Sequence, residues 1–229
     1  MSHSIRQKLV HARRFDIHSC AGQIADLVAH RVFQDPENIN ETVYSYDGDC
    51  IETIEGKQSI VIGDRLSGEF FDTFPGIEIE IKIVKSSTLD VDGYYYHTLD
   101  IQDDDGLVEI VAYINRQYIK QSKLNHFKVS IQSILSHEMQ HVVQRCYGNV
   151  DMAQLHDKPE DHLSDFREID ARVEEVLCGI DETDVEMFRS KMNAYINEYC
   201  KRNKLDNVNI DKATHEHVEF YLDKILRQH

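Results

Sequence analysis

The spacing of apolar residues predicts helices at both ends of the chain. Apolar positions recur at helical intervals over residues 4–14 and 20–33, and Pro36 follows the second run. Helical spacing returns after about residue 122, where it predicts four further helices, over 126–147, 164–178, 184–201 and 212–228.

The middle of the chain alternates apolar and polar residues with the period of a strand. Residues 77–84 are the clearest case, because Ile at every second position alternates with charged residues. Two further apolar runs, 94–101 and 107–114, follow turn-forming Asp and Gly residues, and the acidic run 103–105 is interpreted as a solvated turn. Asp47-Gly48 lies between two more strand-like runs and predicts a small hairpin. We therefore expect the three runs from residue 77 onward to form an antiparallel meander.

Together these elements predict one α+β domain that covers residues 1–229. Residues 1–36 form a helical N-terminal appendage, residues 41–115 a strand-rich part, and residues 122–229 a helical C-terminal part. No internal repeat or Pro/Gly/Ser-rich linker marks a second domain.

The charge balance limits the classes of molecule that the protein is expected to bind. Forty-one acidic and 25 basic residues leave a net charge of −16, which disfavours nucleic acid and anionic membranes and favours a peptide or protein substrate. The sequence has neither a long apolar run nor a recognisable signal peptide, and its five Cys form no CxxC, so we expect a cytoplasmic protein with free thiols. The oligomeric state stays open.

The chain contains 13 His, and two of them have the spacing of a metal site. His137, Glu138 and His141 form an H-E-x-x-H string inside the predicted helix 126–147. Residues four apart on a helix project from one face, so both imidazoles can reach a single ion while Glu138 lies beside them. This arrangement predicts two metal ligands and a general base.

A third ligand is predicted on the next helix. Catalytic zinc takes three protein ligands, and two His with one carboxylate are a common set. Glu168 supplies the carboxylate, and Ala171 leaves room for the two helices to approach. Asp165 and Asp170 remain rival ligands or orienting residues, although Asp170 is rotated about 200° from Glu168 on a helix.

This constellation resembles the gluzincins, zinc metallopeptidases in which an HExxH helix is followed by a helix bearing a Glu. The resemblance covers about 45 residues, including His137, Glu138, His141, Glu168 and Ala171. It implies a zincin-like fold, with Zn²⁺ held by the two His and Glu168, and with Glu138 as catalytic base. It also implies that the strand at 107–114 is a sheet edge on which an extended peptide docks.

The predicted function is therefore zinc-dependent hydrolysis of peptide bonds by a metal-activated water. The alternatives are a non-catalytic zincin-like binding or regulatory module and a chance motif in a helical binding protein. His215 and His217 are weak metal candidates, because residues two apart point to different faces of a helix. The residue that stabilises the oxyanion is left open among five candidates: Tyr147, His156, His162, Arg172 and Tyr195.

Overall fold

The computed structural model describes residues 2–34, 43–47, 50–54, 59–62, 68–69, 73, 77–84, 95–96, 108–115, 124–146 and 159–226. The chain divides into two units, one of Met1–Arg14 with Met139–His229 and the other of Phe15–Glu138. The boundary after Glu138 falls within one long helix.

The predicted helices are confirmed, with ends shifted by a few residues. They are α1 (Ser2–Val10), α2 (Ile17–Gln34), α3 (Leu124–Cys146), α5 (Phe166–Leu177), α6 (Val185–Arg202) and α7 (Ile210–Tyr221), and a π-helical segment, Leu222–Leu226, continues α7. The short helix α4 (Pro159–His162) was not predicted.

Side-chain caps fix where three of these helices begin. Asp165, Asp184 and Asn209 precede α5, α6 and α7, and each side chain accepts a hydrogen bond from a backbone N–H of the first turn. At the other end of α5, Gly179 has a φ of +76°, a left-handed conformation that Gly adopts without strain.

The backbone of the middle part forms two sets of paired strands. The strands are β1 (Val43–Asp47), β2 (Cys50–Ile54), β3 (Ser59–Ile62), β4 (Ile77–Val84), β5 (Tyr95–Tyr96) and β6 (Val108–Asn115). β1 pairs antiparallel with β2, and the other four strands have the order β3-β4-β6-β5.

The predicted α+β fold with an antiparallel meander is wrong. Wherever the structure describes side-chain burial within a regular element, that element is a helix, so the described packing is all helical. The strands do not form a meander either, because β4 pairs parallel with β6, from Ile77 opposite Val108 to Val84 opposite Asn115. Period-two alternation shows that a strand has two different faces, but it does not show the direction of the neighbouring strand.

The prediction that residues 107–114 form a sheet edge is also wrong. Strand β6 lies inside its sheet, with β4 on one side and β5 on the other. A strand with neighbours on both sides has its backbone groups engaged where it is paired, so it offers no free edge there to an extended peptide.

In the unit of Met1–Arg14 and Met139–His229, α1, α5, α6 and α7 enclose an apolar core. The rings of Phe188 on α6 and Tyr221 on α7 stack with centroids 4.0 Å apart. Arg6 on α1 forms an ion pair with Asp223 of the π-helical segment. Buried apolar residues from these four helices, together with Leu163 after α4 and Ile225 of the π-helical segment, make up this core: Leu9, Val10, Leu163, Ile169, Val173, Val176, Leu177, Phe188, Met192, Ile196, Cys200, Ala213, Val218, Phe220, Tyr221 and Ile225. Helix α5 is therefore held on its apolar side, which fixes the position of Glu168.

In the unit of Phe15–Glu138, α2 contacts the first part of α3. Gln132 Nε2 donates to the backbone oxygen of His18 at 2.8 Å, and the rings of Phe33 and Phe127 meet edge to face at 5.2 Å. These contacts fix the part of α3 that precedes the HExxH string.

Candidate metal centre

The HExxH string lies in the second half of α3, a continuous helix of 23 residues. His137, Glu138 and His141 are all buried, with exposed fractions of 4%, 2% and 3%. The helix contains neither Pro nor Gly, so the four-residue spacing places both imidazoles on one face, one turn apart.

Glu168 lies in the first turn of α5, where the helix dipole favours a carboxylate. Its side chain is largely buried, and its Oε1 lies 3.5 Å from Nε2 of His141. One ligand atom from each of His137, His141 and Glu168 lies within 4.8 Å of the other two. The prediction that these three side chains come together is confirmed.

The carboxylates of Asp165 and Asp170, the two rival candidates for the third ligand, contact other groups. Asp165 caps α5, accepting from the backbone N–H of Arg167 at 2.8 Å, and it also pairs with the Arg167 guanidinium. Asp170 is fully buried and accepts hydrogen bonds from Gln140 and Gln144 of α3. Among the described residues, neither carboxylate belongs to the group formed by the two His and Glu168.

Arg172 lies one turn after Glu168 and holds the second oxygen of that carboxylate. Its Nη2 is 3.5 Å from Glu168 Oε2, its Nη1 donates to the backbone oxygen of His162 at 2.8 Å, and its guanidinium lies 5.1 Å from the ring centroid of Tyr199. Burial by itself would lower the pKa of Arg172, but the Glu168 carboxylate, together with Tyr195, Tyr199 and Glu175, outweighs burial and the pKa is raised. Arg172 therefore stays charged and supplies a counter-charge beside the Glu168 carboxylate.

His162 lies near the other oxygen of the Glu168 carboxylate, and its side chain is a quarter exposed. Its Nδ1 is 3.9 Å from Glu168 Oε1, whereas the Arg172 side chain is 2% exposed. His162 is therefore the more accessible of these two oxyanion candidates. Tyr147 and His156 lie outside the described residues.

The residues that support His141 were not predicted from the sequence. Gln144 follows His141 by three positions on α3, and its Oε1 lies 3.0 Å from Nδ1 of that His. Its Nε2 donates to the backbone oxygen of Arg167 and to Asp170 Oδ2, each at 2.8 Å. The signal for this contact was the three-residue spacing from His141 to Gln144, which places the two side chains on one helix face.

Lys224, in the π-helical segment, lies beside Asp170 and Glu174 and forms a buried cluster of charged side chains with them. Its side chain is 1% exposed, it forms an ion pair with Asp170, and its Nζ lies 3.2 Å from Glu174 Oε1. Burial alone would lower the pKa of Lys224, but Asp170 and Glu174 outweigh burial and raise the pKa. A charged Lys therefore neutralises two buried carboxylates beside the candidate metal ligands.

The second His pair does not form a metal site in the described part of the chain. His215 is exposed, whereas His217 is fully buried and donates from Nδ1 to the backbone oxygen of Ala213 at 2.8 Å. Burial, together with the positive charge of Arg172, lowers the pKa of His217 to about 3. His217 is therefore a neutral core residue.

His217 is expected to make the protein sensitive to mild acid. As the pH falls below about 6.5, the unfolded chain binds a proton at His217 that the folded chain does not bind until about pH 3. This difference costs about 2 kcal/mol of folding free energy at pH 5. Urea unfolding at pH 7 and pH 5 should therefore show a smaller acid loss for His217→Phe than for the wild type. His215→Phe, at an exposed position of α7, is the control and should lose as much as the wild type, and an equal loss in His217→Phe would contradict the assignment.

None of the helices in the described part of the chain combines the length and apolar character needed to cross a bilayer.

The likeness to gluzincins rests on five residues, three of which the structure brings together around a common point. Comparison of the chain with known protein families, with curated proteins and with solved structures finds no match.

Proposed function

We propose that this chain is a zinc-dependent peptidase of gluzincin type. The observation that carries the proposal is the buried group of His137, His141 and Glu168, with Glu138 next to the first His on α3. Two imidazoles and one carboxylate are a standard donor set for catalytic zinc, which leaves a further position for water or substrate.

The donor atoms fit a cation. Nε2 of His141 and Oε1 of Glu168 face each other at 3.5 Å, while Nδ1 of His141 and Oε2 of Glu168 are engaged by Gln144 and Arg172. Each of these two ligands thus has one atom oriented by a neighbouring side chain and one atom that faces the other ligand. Bound zinc would acidify water and polarise a substrate carbonyl.

In the proposed reaction, Glu138 carries a proton from the attacking water to the leaving nitrogen. As general base it takes a proton from the attacking water, whose oxygen bonds to the carbonyl carbon of the scissile peptide. As the C–N bond breaks, Glu138 passes this proton to the leaving nitrogen, which gives a carboxylic acid and an amine. The proton of the new carboxylic acid then moves to the amine, so that the final products are a carboxylate and an ammonium group. His162, which is partly exposed beside Glu168, is the candidate donor to the carbonyl oxygen.

Protein purified without added metal is expected to contain about one zinc per chain. The zinc should be absent from a His137→Ala, His141→Ala double variant and strongly reduced in Glu168→Ala, as measured by elemental analysis. A His11→Ala, His215→Ala double variant is the matched control, because both of these His are exposed. Equal zinc in the two double variants would rule out the site.

Hydrolysis is tested separately on a fluorescence-quenched peptide library. The zinc protein should cleave responsive peptides, a chelator should stop cleavage, and added zinc should restore it. Stoichiometric zinc without any cleavage would reject the peptidase and leave the non-catalytic zincin-like module.

A further inference from the structure

The amide of Gln144 has only one orientation that satisfies its neighbours. Its Nε2 lies 2.8 Å from both the Arg167 backbone oxygen and Asp170 Oδ2, and these two atoms can only accept hydrogen bonds. Exchanging the amide nitrogen and oxygen would place an oxygen against both acceptors. Oε1 of Gln144 therefore faces His141, and it can only accept.

This orientation of the Gln144 amide determines which ring nitrogen of His141 carries the hydrogen. Nδ1 of His141 lies 3.0 Å from Gln144 Oε1, so Nδ1 must carry the hydrogen that is donated. In a neutral imidazole the other nitrogen then has a lone pair, and Nε2 of His141 lies 3.5 Å from Glu168 Oε1. Two electron-pair donors that face each other at this distance are stabilised by a cation between them.

Asp170 keeps Gln144 in place and is itself strongly held. It is fully buried, and it accepts from Gln140 Nε2 at 2.7 Å in addition to Gln144. Lys224 neutralises it from the π-helical segment near the C-terminus. A continuous chain of contacts therefore runs from Lys224 through Asp170 and Gln144 to His141.

We infer that Gln144, oriented by Asp170, is a positioning residue that sets the tautomer of His141 and presents its Nε2 to the metal. The inference rests on the zinc site of the proposed function and adds a residue outside the HExxH string to it. Hydrogen-bonded partners of this kind fix the ring of a ligating His and raise its basicity.

Zinc affinity, measured by competition with a chromogenic chelator, tests this role. Gln144→Leu should weaken zinc binding by roughly 10- to 100-fold, the range for loss of a residue that orients a ligand. Gln132→Leu makes the same change earlier on α3, where Gln132 bonds His18, and it should bind zinc as the wild type does. Gln140→Leu also removes a donor to Asp170 but leaves the His141 contact, so its loss should be smaller than that of Gln144→Leu.

A spectroscopic measurement separates positioning from folding. In the zinc-loaded protein, ¹⁵N-resolved NMR should show a slowly exchanging Nδ1 proton on His141, present in Gln132→Leu and absent in Gln144→Leu. Wild-type zinc affinity in Gln144→Leu, or equal losses in Gln140→Leu and Gln144→Leu, would overturn the inference while the zinc site stands. A wild-type protein that binds no zinc would instead remove the proposed function and the inference together.

Discussion

Replacing Glu138 by Gln is expected to lower the rate of peptide hydrolysis by roughly 10²- to 10⁴-fold, the usual contribution of a general base. Gln has the size and shape of Glu, but its amide cannot take a proton from water near neutral pH. Glu138 is 2% exposed on a helix whose neighbouring turns are fully packed, so an isosteric change keeps the packing. The rate is measured on a peptide that the wild type cleaves, and zinc content and melting temperature are measured on the same sample.

The zinc content and melting temperature show whether a slower hydrolysis rate in Glu138→Gln comes from loss of the base, loss of the metal or loss of folding. Because Glu138 is the proposed base and not a ligand, Glu138→Gln should keep both at the wild-type values. Glu186→Gln, an exposed change on α6, should keep all three properties. Full activity in Glu138→Gln would show that another group moves the proton, and complete loss of zinc would show that Glu138 is a ligand.

The three proposed ligands could be predicted because their signals are local. The spacing of His137 and His141 on a helix determines that they share a face, whatever the rest of the chain does. Glu168 was predicted from its place on the next helix, and its position in the first turn of α5 agrees with that reasoning. In both cases a short stretch of chain contains most of the geometric information.

The strand arrangement could not be predicted because strand direction is not a local property. Residues 77–84 show the same alternation whether their neighbour runs parallel or antiparallel. β4 lies between β3 and β6, and its pairing with β6, which comes later in the chain than β5, is parallel. The turn residues that precede the later strands favour hairpins between consecutive strands, and here that preference gave the wrong partner.

The buried charged residues beside the site could not be predicted from the sequence, because their contacts are not local either. Lys224 and Asp170 are 54 positions apart, and each reads in the sequence as an ordinary charged residue on a helix. Charged residues on helices are usually solvated, so a buried pair is recognised only when the two helices are seen in contact. Such pairs determine how firmly a site is held, whereas the ligands themselves determine what it binds.

Replacing Lys224 by Met is expected to cost roughly 3–5 kcal/mol of folding free energy, the range for breaking a buried ion pair from one side. Lys224 is 1% exposed, and it faces the carboxylates of Asp170 and Glu174. Without it, Asp170 keeps two amide donors but loses its counter-charge, and Glu174 keeps its ion pair with the Arg14 guanidinium at 3.5 Å. Urea unfolding at neutral pH measures the loss.

The matched control and a double variant identify the cause of that loss. Lys212→Met removes an exposed Lys of α7 whose ion pair with Glu216 spans 3.7 Å, and surface pairs of this kind contribute about 1 kcal/mol or less. Adding Asp170→Asn to Lys224→Met should recover part of the stability, since it removes the uncompensated buried charge while keeping an oxygen that accepts from Gln144. If Lys224→Met cost no more than Lys212→Met, the buried cluster would contribute little to stability. If the double variant were less stable than Lys224→Met, the loss would come from packing and not from the stranded charge.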